Sequence, residues 1–291
     1  MRILYFSDNY TWSNWGTKRS IYEEVKLRGH SVIWLDKMLL DAGENAANGS
    51  DHPLLQLCAE HNPDQIWLAH SNLRLPIDVK KKLTVPVIGF GFSDPYYFSE
   101  DRFASYDAYI VNHYDTLIKY RHLIPMHYNP TACDRNYHHK MDIQQDIDVS
   151  IIGVGTHQRF SDPDMRIKIA NMLRDNGIRV MAFGDGWPQH PNNYSSITGD
   201  QFKEIICRSK IGLDIQDTFS PLAHRMLEYG ACGIPVITRR RPEVFRLFNE
   251  DEILTYTSEK ELLELVKRYL ANTLLRAAAA EQLDLPLKTV A

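Results

Sequence analysis

The stretch that decides the fold of this chain is IGLDIQDTFSPLAHRMLEYGACGIPVIT, residues 211–238. It starts with an apolar run typical of a strand, residues 211–215, and a polar loop leads from there to a helix-like run at 222–229. Gly230 and Gly233 end the predicted helix, and the segment PVIT at 235–238 begins the next strand. Strand, loop, helix and strand form a βαβ unit, and a parallel sheet built of such units binds its ligands at the carboxyl ends of its strands.

Two charged residues lie near the start of the predicted helix. Arg225 and Glu228 are three positions apart, so they share one helix face. A helix N-terminus and a guanidinium group suit a phosphate, and a carboxylate suits the hydroxyl groups of a ribose. The alternative is a surface ion pair that contributes little to stability, and the spacing alone favours this alternative.

Composition indicates a globular protein without a strong attraction to nucleic acid. Hydrophobic residues make up 44% and charged residues 24% of the 291 positions, and the formal net charge is −4. A protein with this charge has no overall positive field that would attract nucleic acid. Two basic runs, the lysines at 80–82 and the arginines at 239–241, remain candidate contact patches, although such runs are more often solvated surface.

The cysteines and the N-terminus favour a cytoplasmic protein. Cys58, Cys133, Cys207 and Cys232 form no CxxC pair, and no histidine spacing is typical of a zinc site. Free thiols fit a reducing compartment. The first residues, MRILYFSDNY, lack the apolar region of a signal peptide, and no apolar run reaches the length of a transmembrane helix.

Strand and helix signals alternate on both sides of a polar segment, residues 133–145. This alternation predicts an α/β protein with two doubly wound parallel sheets. We expect an N-terminal Rossmann-like domain over residues 1–132, a C-terminal one over residues 146–291, and a linker at 133–145.

Polar residues follow three predicted strands in the first half, where a parallel sheet places functional groups. Pro95 restricts the residue before it to extended geometry, which holds Asp94 at the end of its strand. Each position also has a purely structural interpretation. The loop after the first strand would be a turn anchored by an aromatic side chain, His70 would only form hydrogen bonds, and Asp94 would form an Asx turn. At these strand ends the candidates for substrate contact are His70 and Asp94, with Tyr96 beside Asp94, and the family resemblance described below adds Asn14, Trp15 and Gly16.

The stretch quoted first resembles the donor-binding motif of GT-B glycosyltransferases and, more narrowly, the CgeB-like (spore maturation protein-like) family. That family shows "skI-x-Lni … R-x-x-E-x-x-acG-x-p-lit", and this chain has SKIGLDI at 209–215, RMLE at 225–228 and ACGIP at 231–235. The resemblance extends from the first strand to about residue 270 and implies a GT-B fold, in which two Rossmann-like domains face a cleft. The chain is also faintly similar to phage DNA β-glucosyltransferases, which carry an Arg-x-x-Glu donor motif.

The resemblance implies a role for each matching residue in binding a nucleotide-diphosphate sugar, expected to be a UDP-sugar. Glu228 would bind the ribose and Arg225 a phosphate. The basic residue that reaches the diphosphate would be Arg159 or, as a second choice, Arg166, which is otherwise a surface residue of its helix. Trp187 would stack on the base or fill the core. The donor-binding candidates are Gly155, Thr156, Arg159, Arg166, Gly184, Trp187, Arg225 and Glu228.

The implied activity is that of a glycosyltransferase (EC 2.4, hexosyl or pentosyl transfer) that needs no metal and no cofactor besides its donor. We expect inverting transfer with Asp94 as general base; in a retaining enzyme Asp94 would only position a substrate. The acceptor (glycan, small molecule, protein or DNA base) and the oligomeric state stay open. Two alternatives remain: a DNA-modifying glycosyltransferase, which the net charge disfavours, and a non-catalytic sugar-nucleotide-binding protein.

Overall fold

The computed structural model describes residues 1–8, 17–40, 52–70, 73–92 and 100–283. The chain divides into two units, Met1–Thr131 and Ala132–Ala291. In the described residues each unit contains a six-stranded sheet in which every pairing is parallel. The predicted α/β fold with two parallel sheets is therefore confirmed.

The first unit alternates strands and helices, as the sequence predicts. Its elements are β1 (Arg2–Ser7), α1 (Thr17–Leu27), β2 (Ser31–Asp36), α2 (Pro53–His61), β3 (Gln65–Leu68), α3 (Ile77–Lys82), β4 (Val87–Phe90), a 3-10 segment (Glu100–Ser105), β5 (Ala108–Val111), α4 (Tyr114–Tyr120) and β6 (Met126–Tyr128). The strand order is β2-β1-β3-β4-β5-β6. β1 is buried from Ile3 onward, so both of its faces are covered.

The second unit repeats the pattern with the strand order β12-β11-β10-β7-β8-β9. Its elements are β7 (Ile147–Ile152), α5 (Met165–Asp175), β8 (Val180–Phe183), β9 (Asn193–Tyr194), α6 (Gly199–Arg208), β10 (Ser209–Asp214), α7 (His224–Ala231), β11 (Val236–Arg239), a 3-10 segment (Val244–Arg246), β12 (Leu254–Tyr256), α8 (Glu259–Ala271) and α9 (Thr273–Leu283). The stretch 211–238 forms the expected strand, loop, helix and strand. In the described part of the chain, no helix is long and apolar enough to cross a membrane.

Residues 133–145, predicted as a linker, belong to the second unit. Cys133 Sγ lies 3.4 Å from the carbonyl oxygen of Leu227, to which it donates. Met141 and Ile143 pack against the core of this unit, and His138 is buried. The segment forms neither a helix nor a strand, which agrees with its lack of periodicity.

Candidate active site

The second sheet reverses its direction of growth between β7 and β10, and the candidate site lies at their carboxyl ends. β8 and β9 extend the sheet on one side of this point, and β11 and β12 on the other. Open parallel sheets bind ligands beside such a reversal. The loop after β10 leads into α7, so the N-terminus of α7 lies at this edge.

Tyr229 holds α7 against the sheet. Gly212 lies within β10, and a Cβ atom there would be 2.5 Å from the Tyr229 ring, so only glycine leaves room for the ring. The Tyr229 hydroxyl lies 2.6 Å from Ser150 Oγ, and Ser209 Oγ donates to the same Ser150 oxygen over 2.7 Å. This packing fixes the helix whose first turns carry the predicted Arg–Glu pair.

Arg225 connects the start of α7 to the end of β7. Its Nε donates to the carbonyl oxygen of Ile152 over 3.2 Å, and its Nη1 donates to Glu228 Oε2 over 2.5 Å. The guanidinium carbon lies 4.4 Å from the centre of the Phe202 ring, a cation–π contact. The side chain is 33% exposed, and Nη2 makes no hydrogen bond with the described residues, so this side of the guanidinium can meet an anion.

Glu228 is a buried carboxylate, 8% exposed. Burial alone would raise its pKa, but the charge of Arg225 and the electrostatic effect of His138 and His224 outweigh burial and hold the pKa below its usual value. Glu228 therefore stays ionised at neutral pH. An ionised carboxylate accepts hydrogen bonds strongly and donates none, which suits a pair of hydroxyl groups.

His138 joins this site although the sequence placed it in a linker. It is 6% exposed, and its ring meets the Phe202 ring edge-on with 5.9 Å between ring centres. Burial lowers its pKa, while the Glu228 charge and the Asp134 carbonyl oppose that shift. A histidine in an aperiodic polar segment gives no sequence signal for this position.

Two glycine turns pack against each other beside the site, after β7 and after β8. A Cβ atom on Gly184 would lie 2.2 Å from the Gly153 carbonyl oxygen, and one on Gly155 would lie 2.6 Å from the Gly186 carbonyl oxygen. These glycines are therefore needed for contact between the turns. Trp187 closes the pair, since its Nε1 donates to the Gly153 carbonyl oxygen over 2.8 Å.

The other residues predicted for the donor have different surroundings. Thr156 Oγ1 lies 2.9 Å from Asp164 Oδ1, within the same loop region. Arg159 is exposed. Arg166 is not the surface residue considered as its alternative role: it is buried, and it donates to the carbonyl oxygens of Val154 over 2.9 Å and of Ile215 over 3.0 Å. It thus ties the loop after β7 to the loop after β10.

The arginines at 239–241 do not form one surface patch, because Arg241 is 1% exposed. Its Nη2 lies 3.2 Å from Asp214 Oδ2, and Thr238 Oγ1 donates to that same carboxylate oxygen over 3.0 Å. Asp214 is the last residue of β10, so this buried ion pair lies at the carboxyl end of the strand that leads into the candidate site. Arg240 instead pairs with Glu250.

A second charged cluster lies at the carboxyl edge of the first sheet, beside its reversal between β1 and β3. Asp8 follows β1, and its buried carboxylate pairs with Lys18, with Lys37 at 3.1 Å and with His70 at 3.2 Å. Burial would raise the Asp8 pKa, but these three neighbours hold it below its usual value. Five candidates of this half, Asn14, Trp15, Gly16, Asp94 and Tyr96, lie outside the described residues.

The described residues contain no group of three or more His, Cys, Asp or Glu side chains that could hold a metal ion. The predicted Arg225 and Glu228 are in contact at the reversal point of the second sheet, and the predicted glycine turns lie at the ends of β7 and β8. His138, Phe202 and Asp214 were not singled out from the sequence.

Residues 166–285 match a family model described as "Glycosyl transferase-like" (Glyco_trans_1_2). The matched segment contains Arg225, Glu228 and the buried Asp214–Arg241 pair. This match confirms, for the matched segment, the expectation of an enzyme of the glycosyltransferase class. No curated protein matches the chain by sequence.

Solved structures of glycosyltransferases share the fold over nearly the whole chain. A sucrose-phosphate synthase from Thermosynechococcus elongatus has a TM-score of 0.65 at 11% identity, covering 98% of this chain and 93% of the other. Anabaena Alr3699/HepE in complex with UDP-glucose has a TM-score of 0.66 at 12% identity, with coverage of 98% and 93%. The DNA-modifying enzyme β-glucosyltransferase has a TM-score of 0.64 at 14% identity, again with coverage of 98% and 93%. At these identities the likeness establishes the GT-B type of fold.

Proposed function

We propose that this chain is an enzyme of the CgeB-like type that transfers a sugar from a UDP-sugar to an acceptor hydroxyl group. The match of residues 166–285 to a glycosyl transferase-like family model supports the transferase activity. The observation that carries the proposal is the Arg225–Glu228 pair at the start of α7, where a guanidinium with an open side lies 2.5 Å from a buried, ionised carboxylate. Structural relatives whose names include UDP or UDP-glucose support the choice of donor.

Glu228 and Arg225 bind different parts of the donor. Glu228 accepts hydrogen bonds from the ribose hydroxyls, because its carboxylate is ionised and buried. Arg225 binds the diphosphate through the exposed side of its guanidinium, and Arg159 does so from the loop after β7. The N-terminus of α7 adds a favourable dipole at the same place.

In the transfer step, the acceptor oxygen attacks the anomeric carbon and loses its proton to a base. The bond between the anomeric carbon and the diphosphate oxygen breaks, and its electron pair leaves with UDP. The added negative charge is stabilised by Arg225, Arg159 and the helix N-terminus, which supply the role that a metal has in other transferases. We assign the base to Asp94 and the stereochemistry to inversion, with Asn14, Trp15, Gly16, His70 and Tyr96 contacting the acceptor or lining its site.

The experiment that tests this function measures UDP release and sugar transfer by the purified chain. UDP-glucose and other UDP-sugars are offered with small glycans, and a parallel arm adds duplex DNA. The Asp94→Asn variant is expected to lose about two to four powers of ten in turnover while it still binds UDP, because asparagine cannot accept the proton. The anomeric configuration of the product is read by NMR.

Each outcome separates the candidate functions. Transfer to glycans or small molecules supports the proposal, and transfer only to DNA would make the enzyme a DNA-modifying glycosyltransferase. Binding of UDP-sugars with neither transfer nor hydrolysis would favour the non-catalytic binding protein. Full turnover in Asp94→Asn, or retention of configuration, would remove the assigned base.

A further inference from the structure

Three basic side chains surround the buried Asp8 carboxylate at the carboxyl edge of the first sheet. Lys37 Nζ and His70 Nε2 lie 3.1 Å and 3.2 Å from Asp8 Oδ1. Lys18 pairs with the other carboxylate oxygen, Oδ2. Lys18 belongs to the first turn of α1, Lys37 follows β2 and His70 follows β3. Separate elements of the fold thus bring these charges to one point, and the proposed function gives the two lysines no role.

Exposure decides which of these charges a ligand from solvent would meet. The Asp8 side chain is 0% exposed. The side chains of Lys18, His70 and Lys37 are 15%, 17% and 28% exposed. The carboxylate therefore lies below the basic groups and orients them, while an arriving ligand would contact the basic groups.

Basic groups also outnumber acidic ones among the described residues of this cluster. Two ammonium groups and an imidazole share one carboxylate, so their charge is only partly neutralised. Each ammonium has three N–H donors, whereas a carboxylate offers about four lone-pair sites, so donors remain available to an anion. Burial lowers the pKa of Lys18 below its usual value, and the Lys37 charge adds to that shift, against the opposing effect of Asp8. A bound anion would offset the repulsion between the two lysines.

Lys18 connects the cluster with the strand that leads to the assigned base. Its Nζ lies 5.8 Å from the centre of the Phe92 ring, which stacks on the Phe90 ring of β4 with 6.2 Å between ring centres. Phe92 precedes Asp94 by two positions in the sequence. The residues proposed to bind the donor belong to the second unit, whereas the cluster belongs to the first. An anion bound by these lysines is therefore expected to be part of the acceptor.

We propose that Lys18, Lys37 and His70 bind a phosphate monoester group of the acceptor, so that the acceptor is a small phosphorylated molecule. A phosphate monoester carries a charge of about −1.5 to −2 at neutral pH and several strong acceptor oxygens, which match the excess of positive charge and of donors. Lysine binds phosphate as a point charge. The net charge of −4 disfavours nucleic acid as the source of the phosphate. This inference rests on the proposed function, since it requires a sugar acceptor.

The first test measures the binding of inorganic phosphate to the full chain by calorimetry. UDP is present at saturation, so that the donor site is already filled, and sodium chloride keeps the ionic strength constant. Lys37→Met removes one charge and leaves Lys18 and His70 as partners of Asp8. We expect the affinity for phosphate to fall about tenfold or more, the effect of one lost charge-assisted hydrogen bond. Lys37→Arg, which keeps the charge, should lose less.

The second test links the bound phosphate to the acceptor. UDP release from UDP-sugars is measured with glucose 6-phosphate and a panel of other sugar phosphates, each compared with the same sugar without its phosphate. We expect a phosphorylated sugar to stimulate UDP release more than its neutral counterpart. Lys37→Met should raise the KM for that acceptor about tenfold and change kcat little, because it removes binding energy and leaves the base in place.

The matched control is Lys210→Met. Lys210 is 32% exposed and pairs with Asp148 at 2.6 Å, so it resembles Lys37 in exposure and in having an acidic partner. It lies in β10 of the second unit, away from the cluster in the fold. This variant should bind phosphate as the wild type does. Thermal unfolding and the affinity for UDP check that each variant is folded.

Several outcomes would overturn this assignment. If the UDP-loaded wild type does not bind phosphate, or binds it no better than Lys37→Met does, the cluster is only structural. If no sugar phosphate exceeds its neutral counterpart, the bound phosphate does not belong to the acceptor. Displacement of phosphate by duplex DNA would assign the lysines to nucleic acid. Failure of the wild type to bind UDP would instead overturn the proposed function itself, which distinguishes that failure from the others.

Discussion

Removing Asp214 should destabilise the second unit far more than removing a surface carboxylate. In the Asp214–Arg241 pair the side chains are 1% and 0% exposed, and their atoms are 3.2 Å apart. In the surface pair of Asp162 with Lys168 they are 42% and 61% exposed, yet the distance is shorter, 2.7 Å. If burial determines how much an ion pair contributes to the free energy of unfolding, the buried Asp214–Arg241 pair contributes more, although its atoms are farther apart.

The magnitudes follow from these surroundings. Asp214→Asn leaves the Arg241 guanidinium buried without its counter-charge, which costs about 3–5 kcal/mol. The shape is nearly conserved, so loss of packing contributes little. Asp162→Asn removes a solvated pair and should cost at most about 1 kcal/mol.

Urea unfolding followed by far-UV circular dichroism measures both variants. With a slope of about 2 kcal/mol per M, a loss of about 4 kcal/mol lowers the midpoint by about 2 M. Replacing Arg241 by Met in the Asp214→Asn background removes the unpaired charge and should restore part of the loss. If Asp214→Asn and Asp162→Asn shift the midpoint equally, burial does not control these pairs and the reasoning is wrong.

Three further predictions concern binding and pH. Glu228→Ala should weaken UDP binding by about 1–3 kcal/mol in calorimetry, because it removes the acceptor for the ribose hydroxyls; an unchanged affinity would contradict the ribose role. Arg225→Ala and Arg159→Ala should each reduce the affinity for UDP more than that for uridine, since charge-assisted bonds need the phosphate charge, and equal losses would rule out the diphosphate role. Burial lowers the pKa of His138 and His157 below the ordinary 6.5, so the unfolded chain takes up protons first as the pH falls. The free energy of unfolding should therefore decrease below about pH 6.5, and His157→Phe should make its pH dependence shallower; an unchanged pH dependence would contradict this.

Much of the fold follows from local patterns in the sequence. The central strands are continuous apolar runs, and several helices, such as Thr17–Leu27 and Met165–Asp175, are followed within two residues by a glycine, so the alternation of strands and helices was predictable. The strands β6, β9 and β12 were not predicted. Each has two or three residues and lies at the edge of a sheet, where one-sided burial leaves little apolar pattern.

Only those residues of the candidate site that belong to a local sequence motif could be predicted. Arg225 and Glu228 lie on one helix face in any α-helix, so their contact follows from spacing. The position of His138 depends on how an aperiodic segment packs on Phe202, and the burial of Arg166 depends on two loops that meet in space. Such tertiary contacts leave no trace in local periodicity, and the Asp214–Arg241 pair was missed for the same reason.

The order of strands in the second sheet also places two paired strands far apart along the chain. β7 pairs with β10, with Ile147 facing Ser209, and the whole of α5, β8, β9 and α6 lies between them in the chain. Parallel pairings of such separation close slowly, since the entropy of a long loop is lost before the contacts form. During synthesis the Ile152 carbonyl is made long before Arg225, its partner, leaves the ribosome. Truncated products that stop before β10 would expose the unpaired edge of β7 and should be bound by chaperones or degraded.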